Sequence, residues 1–135
     1  MPMEITIAVP THPVDSFEAS YVHLPSEEGS MGVLQNHAPL RCVLDTGIVT
    51  CRLPDASERA FFVSGGLAMI ADNKVLVLAD TAEPAEDIDI ERVRAAEERA
   101  RKRLLDQTSD TDRARAEASL KRSLFRLKAN QAAGR

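Results

Sequence analysis

Residues 61–80, FFVSGGLAMIADNKVLVLAD, decide the fold of this chain. The stretch contains three short apolar runs, which Gly65-Gly66 and Asp72-Asn73 separate. Glycine, asparagine and aspartate adopt positive φ more readily than other residues, so such pairs are typical of tight turns between strands. The stretch therefore predicts consecutive β-strands joined by hairpin turns.

The same pattern extends towards the N-terminus. The segments EITIAVP and YVHLP alternate apolar and polar residues, as half-buried strands do. In CVLDTGIVTCRL, the pair Thr46-Gly47 lies between two apolar runs and predicts another hairpin. Many short strands separated by regular turn residues indicate a β-sandwich or a small barrel.

The composition changes after Thr81. TAEPAED is polar and contains a proline, and the chain then becomes rich in Ala, Glu and Arg, which are good helix formers. We expect Asp87 or Asp89 to cap a helix that ends near Leu105, and a second helix over 110–129. Apolar residues recur at helical spacing in both: Val93, Ala96, Ala100 and Leu104 in the first, and Leu120, Leu124 and Leu127 in the second.

The predicted fold is therefore mainly β plus α, with an N-terminal β-sandwich and a C-terminal antiparallel two-helix hairpin. We assign 1–82 to the sandwich, 83–87 to a linker and 88–135 to the hairpin. Burial is worth about 25 cal/mol per Å² of apolar surface, so a stripe made largely of alanine stabilises docking weakly. The hairpin is expected to be an appendage that can dock on the sandwich and extend from it.

Charge is distributed unevenly between these parts. Residues 1–88 carry 4 Lys+Arg and 13 Asp+Glu, a net charge of −9, whereas residues 89–135 carry 13 Lys+Arg and 8 Asp+Glu, a net charge of +5. A basic C-terminal part predicts an acidic partner. No apolar run approaches the ~20 residues of a membrane span, and the N-terminus lacks the basic and apolar regions of a secretory signal. We therefore expect a cytoplasmic protein.

The chain offers little for catalysis or for metal binding. The histidines and cysteines lack the local pairing that announces zinc sites, so we expect no metal. Ser64 and His37 could belong to a hydrolase, but the G-x-S-x-G elbow is missing, as is a phosphate-binding P-loop. Nucleic-acid binding is disfavoured because Phe125 is the one aromatic residue of the basic part.

The two cysteines flank the predicted Thr46-Gly47 turn. A two-residue turn at that position would put Cys42 opposite Cys51, which makes a disulfide geometrically conceivable. Two reduced thiols in the core are the favoured interpretation for a cytoplasmic protein.

Four arginines are regularly placed on the predicted helices. Arg92 and Arg99 are seven residues apart, and Arg122 and Arg126 are four apart, so each pair shares a helix face. If the hairpin turns near residue 109, Arg92 and Arg126 meet at its open end. Guanidinium groups there could bind phosphate, although a solvated Arg/Glu surface is the simpler interpretation.

Three motifs in order give a family resemblance. These are GSMGVLQNHAPL at residues 29–40, the stretch at 61–80, and AEDID at 85–89 followed by the Ala/Arg-rich helices. Together they resemble the epsilon subunit of F-type ATP synthases over nearly the whole chain. The resemblance implies a non-catalytic subunit of the central stalk, which couples proton or sodium translocation to ATP synthesis.

The resemblance also implies partners. The sandwich would bind the gamma subunit and the ring of c subunits, through a surface that includes Gly32, Val33, Leu34, His37 and Pro39. His37 would then be a structural or interface residue, not a catalyst. The complex would hold the protein peripherally at the cytoplasmic face of a bacterial plasma membrane, or less readily at a chloroplast thylakoid.

The hairpin would regulate ATP hydrolysis. When extended, its basic face is expected to meet acidic segments of the catalytic beta subunits, beside the alpha subunits, and to inhibit hydrolysis. The residues expected to make this contact are Lys121, Arg122, Arg126 and Lys128.

Some bacterial relatives bind ATP in the folded hairpin through an Ile/Leu-Asp-x-x-Arg-Ala motif. Here Val93 replaces the alanine of that motif, which adds two methyl groups near the expected nucleotide. The residues matching the family's nucleotide site are Glu83, Ile88, Asp89, Arg92, Arg99, Arg122 and Arg126. The arginines would hold the phosphates and ribose, and the other three would frame the base. ATP, with or without Mg²⁺, would thus be a regulatory ligand rather than a required cofactor.

Two alternatives remain. The same coupling and inhibitory subunit could work without binding nucleotide, its hairpin responding to rotation and to the acidic partner alone. More remotely, the chain could be a small β-domain that binds nucleic acid or an acidic protein.

Overall fold

The computed structural model describes residues 1–106 and 110–133. This part of the chain forms eight strands, one 3-10 turn and two helices. The strands are β1 (Met3–Val9), β2 (His12–Ala19), β3 (Tyr21–Ser26), β4 (Gly29–Leu34), β5 (Leu40–Arg52), β6 (Glu58–Ala71), β7 (Lys74–Ala79) and β8 (Ala82–Pro84). The 3-10 turn spans Ala85–Asp87, and the helices are α1 (Ile90–Asp106) and α2 (Asp110–Ala133).

The strands form a β-sandwich, which confirms the predicted fold class. Their order is β2-β1-β7-β6-β5-β3-β4, and β8 pairs with β6 outside this path. Every neighbouring pair is antiparallel except β1 and β7, which are parallel. The alternating residues of β1 and β3 point into the core, as predicted: Ile5, Ile7, Val22 and Leu24 are fully buried.

The two longest strands, β5 and β6, share one antiparallel ladder, and Gly65 and Gly66 lie near its middle. Gly65 and Gly66 have φ values of 100° and 130°, and β6 changes partner at this point. Before the glycines β6 pairs with β8, and after them it pairs with β7. Only glycine adopts such φ values at low cost, so this pair marks the point at which one strand passes from one partner to the other.

The hairpins predicted at Thr46-Gly47 and at Gly65-Gly66 are wrong, because both pairs lie inside continuous strands. A Cβ at position 47 would lie 2.6 Å from the Cβ of Pro25, and one at position 66 would lie 2.2 Å from the carbonyl oxygen of Leu78. Glycine therefore marks a close approach of neighbouring strands here, not a turn.

The turn predicted at Asp72-Asn73 is confirmed. The two residues join β6 to β7 and have φ values of 53° and 57°. Positive φ at both central positions is what a two-residue hairpin loop of type I′ requires.

Because no hairpin turn lies at Thr46-Gly47, Cys42 and Cys51 do not lie opposite each other. Cys42 and Cys51 lie nine positions apart on β5, each without a disulfide. Nine residues of strand span about 30 Å, whereas a disulfide needs Cα atoms within about 7 Å. Burial raises the pKa of Cys51 to about 12 and also raises that of Cys42, so both thiols stay protonated at neutral pH.

The helices begin where the sequence indicated and run slightly further. The Asp89 carboxylate accepts a hydrogen bond of 3.2 Å from the Arg92 amide, so Asp89 is the predicted N-cap of α1. The second helix continues four residues past Ala129. Residues 107–109, which separate the two helices, lie outside the described residues.

The apolar stripe is confirmed for α1 and partly wrong for α2. Val93 and Ala100 of α1 are buried. On α2 the buried positions are Ala116, Ser123 and Ala129, whereas Leu124 is 44% exposed. Small side chains are buried there because α2 lies between α1 and the sheet and approaches both closely.

The segment 83–87, predicted as a linker, has regular structure along its whole length. Glu83 and Pro84 belong to β8, which pairs with β6, and the 3-10 turn follows directly. The connection between sandwich and hairpin is therefore fixed to the sheet as far as residue 87. None of the helices described is both long and apolar enough to span a lipid bilayer.

Replacing Gly66 with alanine is expected to lower the free energy of unfolding by about 3 kcal/mol, since a methyl group would add both backbone strain and a contact with the Leu78 carbonyl. Gly29 is the matched control, because its φ is 121° and nothing lies within 4 Å of a Cβ built there. Gly29→Ala should cost about 1 kcal/mol, from strain alone. Urea unfolding followed by circular dichroism would measure both, and equal losses would contradict the close approach.

Candidate functional site

The hairpin docks on the sandwich through a second, smaller apolar cluster. Its buried members come from β6, from the segment before α1 and from both helices: Ala60, Phe62, Ala85, Ile88, Val93 and Ala129. Ile48, Phe125 and Leu127 pack against its edge. Phe62 and Ile88 are the largest of the buried members, so the cluster gives modest stabilisation compared with a domain core.

Strand β6 makes this cluster possible because both of its faces are buried. Phe61 and Phe62 are consecutive and both fully buried. Side chains alternate across a strand, so Phe61 points into the sandwich core and Phe62 points to the hairpin.

Polar contacts add to the docking of α2. Lys121 Nζ lies 3.2 Å from both carboxylate oxygens of Asp45 on β5. Asn130 Nδ2 donates a 3.3 Å hydrogen bond to the carbonyl of Ala85. The pKa of Asp45 is held below its usual value, first by the hydrogen bond from the Thr46 amide and then by Lys121. Asp45 is therefore ionised at neutral pH and attracts the helix.

Arg126 makes the most elaborate of these contacts. Its guanidinium group lies 4.5 Å from the centre of the Phe62 ring, and its Nη2 lies 2.9 Å from Glu83 Oε1. The side chain is 24% exposed, so solvent screens this pair less than it screens the other pairs on the hairpin. Arg126 Nε is buried and has no hydrogen-bond partner within the described residues.

A groove of about 410 Å³ opens beside Arg126, between the end of β8, the start of α1 and α2. Its lining residues are Glu83, Asp87, Asp89, Arg92, Val93, Ala96, Arg99 and Arg126. Three guanidinium groups thus face one space together with three carboxylates. Three separate elements form its walls, so the groove depends on the position of α2 beside α1 and β8.

The structure brings together five of the seven residues that the sequence assigned to nucleotide. Glu83, Asp89, Arg92, Arg99 and Arg126 line the groove. The other two residues, Ile88 and Arg122, do not line the groove.

The Ile88 side chain is buried in the docking cluster, where it is 6% exposed, so it is not placed to frame a base. Arg122 is partly exposed on α2, one turn before Arg126, and does not line the groove. Val93 is 7% exposed and belongs to both the cluster and the groove wall. Its methyl groups therefore contribute to docking.

The four cationic residues assigned to the inhibitory contact have different surroundings in the docked state. Lys121 and Arg126 are paired with Asp45 and Glu83 of the sandwich. Arg122 is partly exposed, and Lys128 is exposed and lines a separate groove of about 640 Å³ between α2 and the strands β3 to β5.

The segment assigned to the rotor interface is a strand end and a loop, and its residues differ in accessibility. Val33 is fully buried in the sandwich core, so its side chain cannot form an interface. Gly32 is exposed, and the Tyr21 side chain occupies the space that a Cβ at this position would need. Leu34 is 64% exposed and Pro39 is exposed. His37 is partly buried, and its Nδ1 lies 2.6 Å from the Ala38 carbonyl, to which it can donate.

An exposed apolar row crosses the outside of the sandwich. Val43, Leu67 and Leu78 are 47%, 48% and 38% exposed. Val43 pairs with Leu67 across β5 and β6, and Leu67 pairs with Leu78 across β6 and β7, so the three side chains share one face. Contiguous exposed apolar side chains of this kind indicate a protein interface.

The docking residues that the sequence interpretation missed include Asp45, Phe62 and Asn130. Phe62 had a detectable signal, because two adjacent phenylalanines in a strand indicate burial on both faces. Asp45 and Asn130 had none, since each acts through a contact with a segment far away in the chain. Within the described ranges, no group of three or more His, Cys, Asp or Glu residues is placed to hold a metal ion.

Two family sequence profiles match the chain in succession. The profile for the ATP synthase Delta/Epsilon chain, beta-sandwich domain, matches residues 2–85, and that for the long alpha-helix domain of the same chain matches residues 86–131. The ATP synthase epsilon chain of Moorella thermoacetica is 44% identical over 127 residues, which are 94% of this chain and 95% of the relative. That of Nitratidesulfovibrio vulgaris is 42% identical over 126 residues, 93% of each chain.

Two solved structures share the fold. A chain in the Euglena gracilis mitochondrial ATP synthase structure of OSCP, F1 and c-ring aligns with a TM-score of 0.81 and 24% identity, covering 99% of this chain and 82% of that chain. A chain in the central stalk and c-ring of Tetrahymena thermophila mitochondrial ATP synthase gives a TM-score of 0.60 and 19% identity, covering 96% and 97%.

Replacing Ala129 with aspartate is expected to undock the hairpin, because it would bury an unpaired charge against Phe62. Amide exchange in α2 should rise about 100-fold, whereas exchange in the sandwich strands should not change. Ala118→Asp, at an exposed position of the same helix, is the matched control and should leave exchange in α2 unchanged. An equal rise in the sandwich would contradict separate docking of the hairpin.

Proposed function

The chain belongs to the epsilon subunit family of F-type ATP synthases, and from that premise we propose that its hairpin inhibits ATP hydrolysis when extended and permits it when docked. Epsilon chains are structural and regulatory subunits, not catalytic ones. The sandwich would couple rotation to ion translocation, and the hairpin would act as the regulatory element.

One observation carries the inhibitory role. Lys121 and Arg126, two of the cations expected to meet the acidic beta subunits, are bound in the docked state by Asp45 and Glu83. The same cations cannot serve both sets of carboxylates at once. The docked and extended states therefore compete for the same charges, as a two-state element requires.

The apolar surfaces of the sandwich support the coupling role. We assign the row of Val43, Leu67 and Leu78 to the gamma subunit, because an exposed apolar stripe across three strands suits a long helical partner. We assign the loop containing His37, together with Leu34, to the c-ring. The protein would then be peripheral to the membrane, at the cytoplasmic face of a bacterial plasma membrane, held by its complex with gamma, the c-ring and the alpha and beta subunits.

The groove beside Arg126 suits a regulatory nucleotide. Arg92, Arg99 and Arg126 could bind the phosphates of ATP, since guanidinium groups bind phosphate oxygens bidentately. In this proposal the groove would bind ATP as a regulatory ligand and would not hydrolyse it. A ligand that contacts β8, α1 and α2 together would favour the docked state over the extended one.

Specific contacts favour the alternative in which the hairpin responds without nucleotide. Glu83 already neutralises Arg126, and Arg122 lies outside the groove lining. ATP would have to displace Glu83 and would lose one of the four expected arginines.

Isothermal titration of the chain with Mg-ATP distinguishes a hairpin regulated by nucleotide from one that responds without nucleotide. We expect saturable binding by the parent chain and at least a tenfold loss of affinity in Arg92→Ala, which removes a charge-assisted contact. Arg94→Ala is the matched control, because Arg94 lies on the same helix but outside the groove lining. The absence of binding at millimolar ATP would leave the subunit without nucleotide sensing.

Two variants of the assembled complex test the inhibitory role with opposite signs. Removal of the chain after Asp87 deletes both helices and should raise the rate of ATP hydrolysis several-fold. Phe62→Ala removes the surface on which the hairpin docks, leaves the hairpin sequence intact and should lower that rate. If neither variant changed hydrolysis relative to the parent complex, the hairpin would not be inhibitory.

A further inference from the structure

We propose that Asn73 is the positioning residue of the loop at 35–39, which it holds in the shape presented to the rotor; this rests on the c-ring contact proposed above. Asn73 lies in the turn between β6 and β7, at the same end of the sandwich as the loop. The sequence marked it only as a turn residue. Its side chain, however, makes three hydrogen bonds to two other segments of the chain.

The first bond reaches the loop itself. The Asn36 amide donates to Asn73 Oδ1 at 2.9 Å, across 37 positions of the sequence. Asn36 has a φ of 60°, in the left-handed region that asparagine tolerates better than most residues do. The bond from Asn73 fixes this residue directly before His37.

The other two bonds fix the N-terminus beside the loop. Asn73 Nδ2 donates to the carbonyls of Met1 and Pro2, at 3.2 and 3.1 Å. The Met1 amino group in turn donates to Gln35 Oε1 at 3.1 Å, which closes a ring of contacts around the loop. Three separate segments therefore meet at one side chain.

Asparagine is chemically suited to this position. The side chain must accept from one amide and donate to two carbonyls, and a carboxylate could only accept. The residue must also occupy the left-handed region, where its φ is 57°, which asparagine tolerates well. The pattern of partners also fixes which end of the amide is oxygen, since an N–H lies on one side and two carbonyls lie on the other.

The consequence is a preorganised surface. Leu34 and Leu40, which flank the loop, are 64% and 40% exposed, and Met1 is 91% exposed. A loop that is already held in one shape loses less conformational entropy on binding than a mobile loop does. Asn73 would thus act on rotor binding through the loop, without touching the rotor.

Asn73→Gly tests the role, because glycine keeps the turn conformation and removes all three hydrogen bonds. We expect the exchange rate of the Asn36 amide to rise about tenfold, and the affinity of the chain for a complex depleted of it to fall about tenfold. Affinity is measured at a temperature where circular dichroism shows every variant to be folded. Asp72→Gly is the matched control: it changes the neighbouring residue of the same turn, whose side chain makes no hydrogen bond within the ranges described, and should leave both values unchanged.

The variant Leu34→Ser distinguishes the positioning role of Asn73 from the c-ring contact on which that proposal rests. If Leu34→Ser and Asn73→Gly both weaken assembly, the positioning role is supported. If only Leu34→Ser weakens it, the loop is an interface but Asn73 does not position it. If neither does, the c-ring contact assigned to this loop is itself wrong. Asn73→Asp should retain the bond from Asn36 while losing the two to the N-terminus, and its affinity should lie between the two extremes.

Discussion

The structure depends on the burial of strand β6 on both of its faces. Phe61 closes the sandwich core, and Phe62, the next residue, forms the floor on which α2 docks and over which Arg126 lies. A strand buried on one face only would leave the hairpin without an apolar surface. From Gly66 onwards the same strand pairs with β7, so one element links the core, the docking site and the exposed apolar row.

The docking interface is weak in the way that a reversible element needs. Its apolar part is a small cluster in which three of the six buried members are alanines, and its polar part includes ion pairs that are partly exposed to solvent. Exposed ion pairs typically contribute about 0.2–1 kcal/mol each, so no single contact locks the helices in place. The opposite net charges of the sandwich and the hairpin, −9 over residues 1–88 and +5 over residues 89–135, add a longer-ranged attraction that an acidic partner can replace.

Much of the fold could be predicted from local sequence signals. The rest depends on contacts between segments that are distant in the sequence, and local signals do not show such contacts. The turn at Asp72-Asn73 and the cap at Asp89 follow from the preferences of single residues, so both could be predicted. Gly47 and Gly66 were interpreted as turns because a sequence does not show that Pro25 and Leu78 pass so close to them. Leu124 was predicted to be buried from its spacing alone, but the sheet and α1 together select a different face of α2. For the groove, the spacing of Arg92 and Arg99 predicted that the two side chains share one face of α1. The spacing of residues did not predict that Arg126 contacts Glu83 and Phe62.

Arg126 links the groove to docking. Its pairing with Glu83 joins α2 to β8, so any anion that enters the groove competes with an intrachain contact that already favours the docked state. Such a ligand shifts the hairpin only by the affinity it has beyond that of the carboxylate it displaces. In the proposed nucleotide site, Arg92 and Arg99 would supply that excess, because they lie on α1 and line the same groove. An anion bound by all three arginines would hold α1 and α2 against the end of the sheet, which the Glu83 pair alone does not do. A regulatory role of the groove would therefore depend on the two arginines of α1 more than on Arg126 itself.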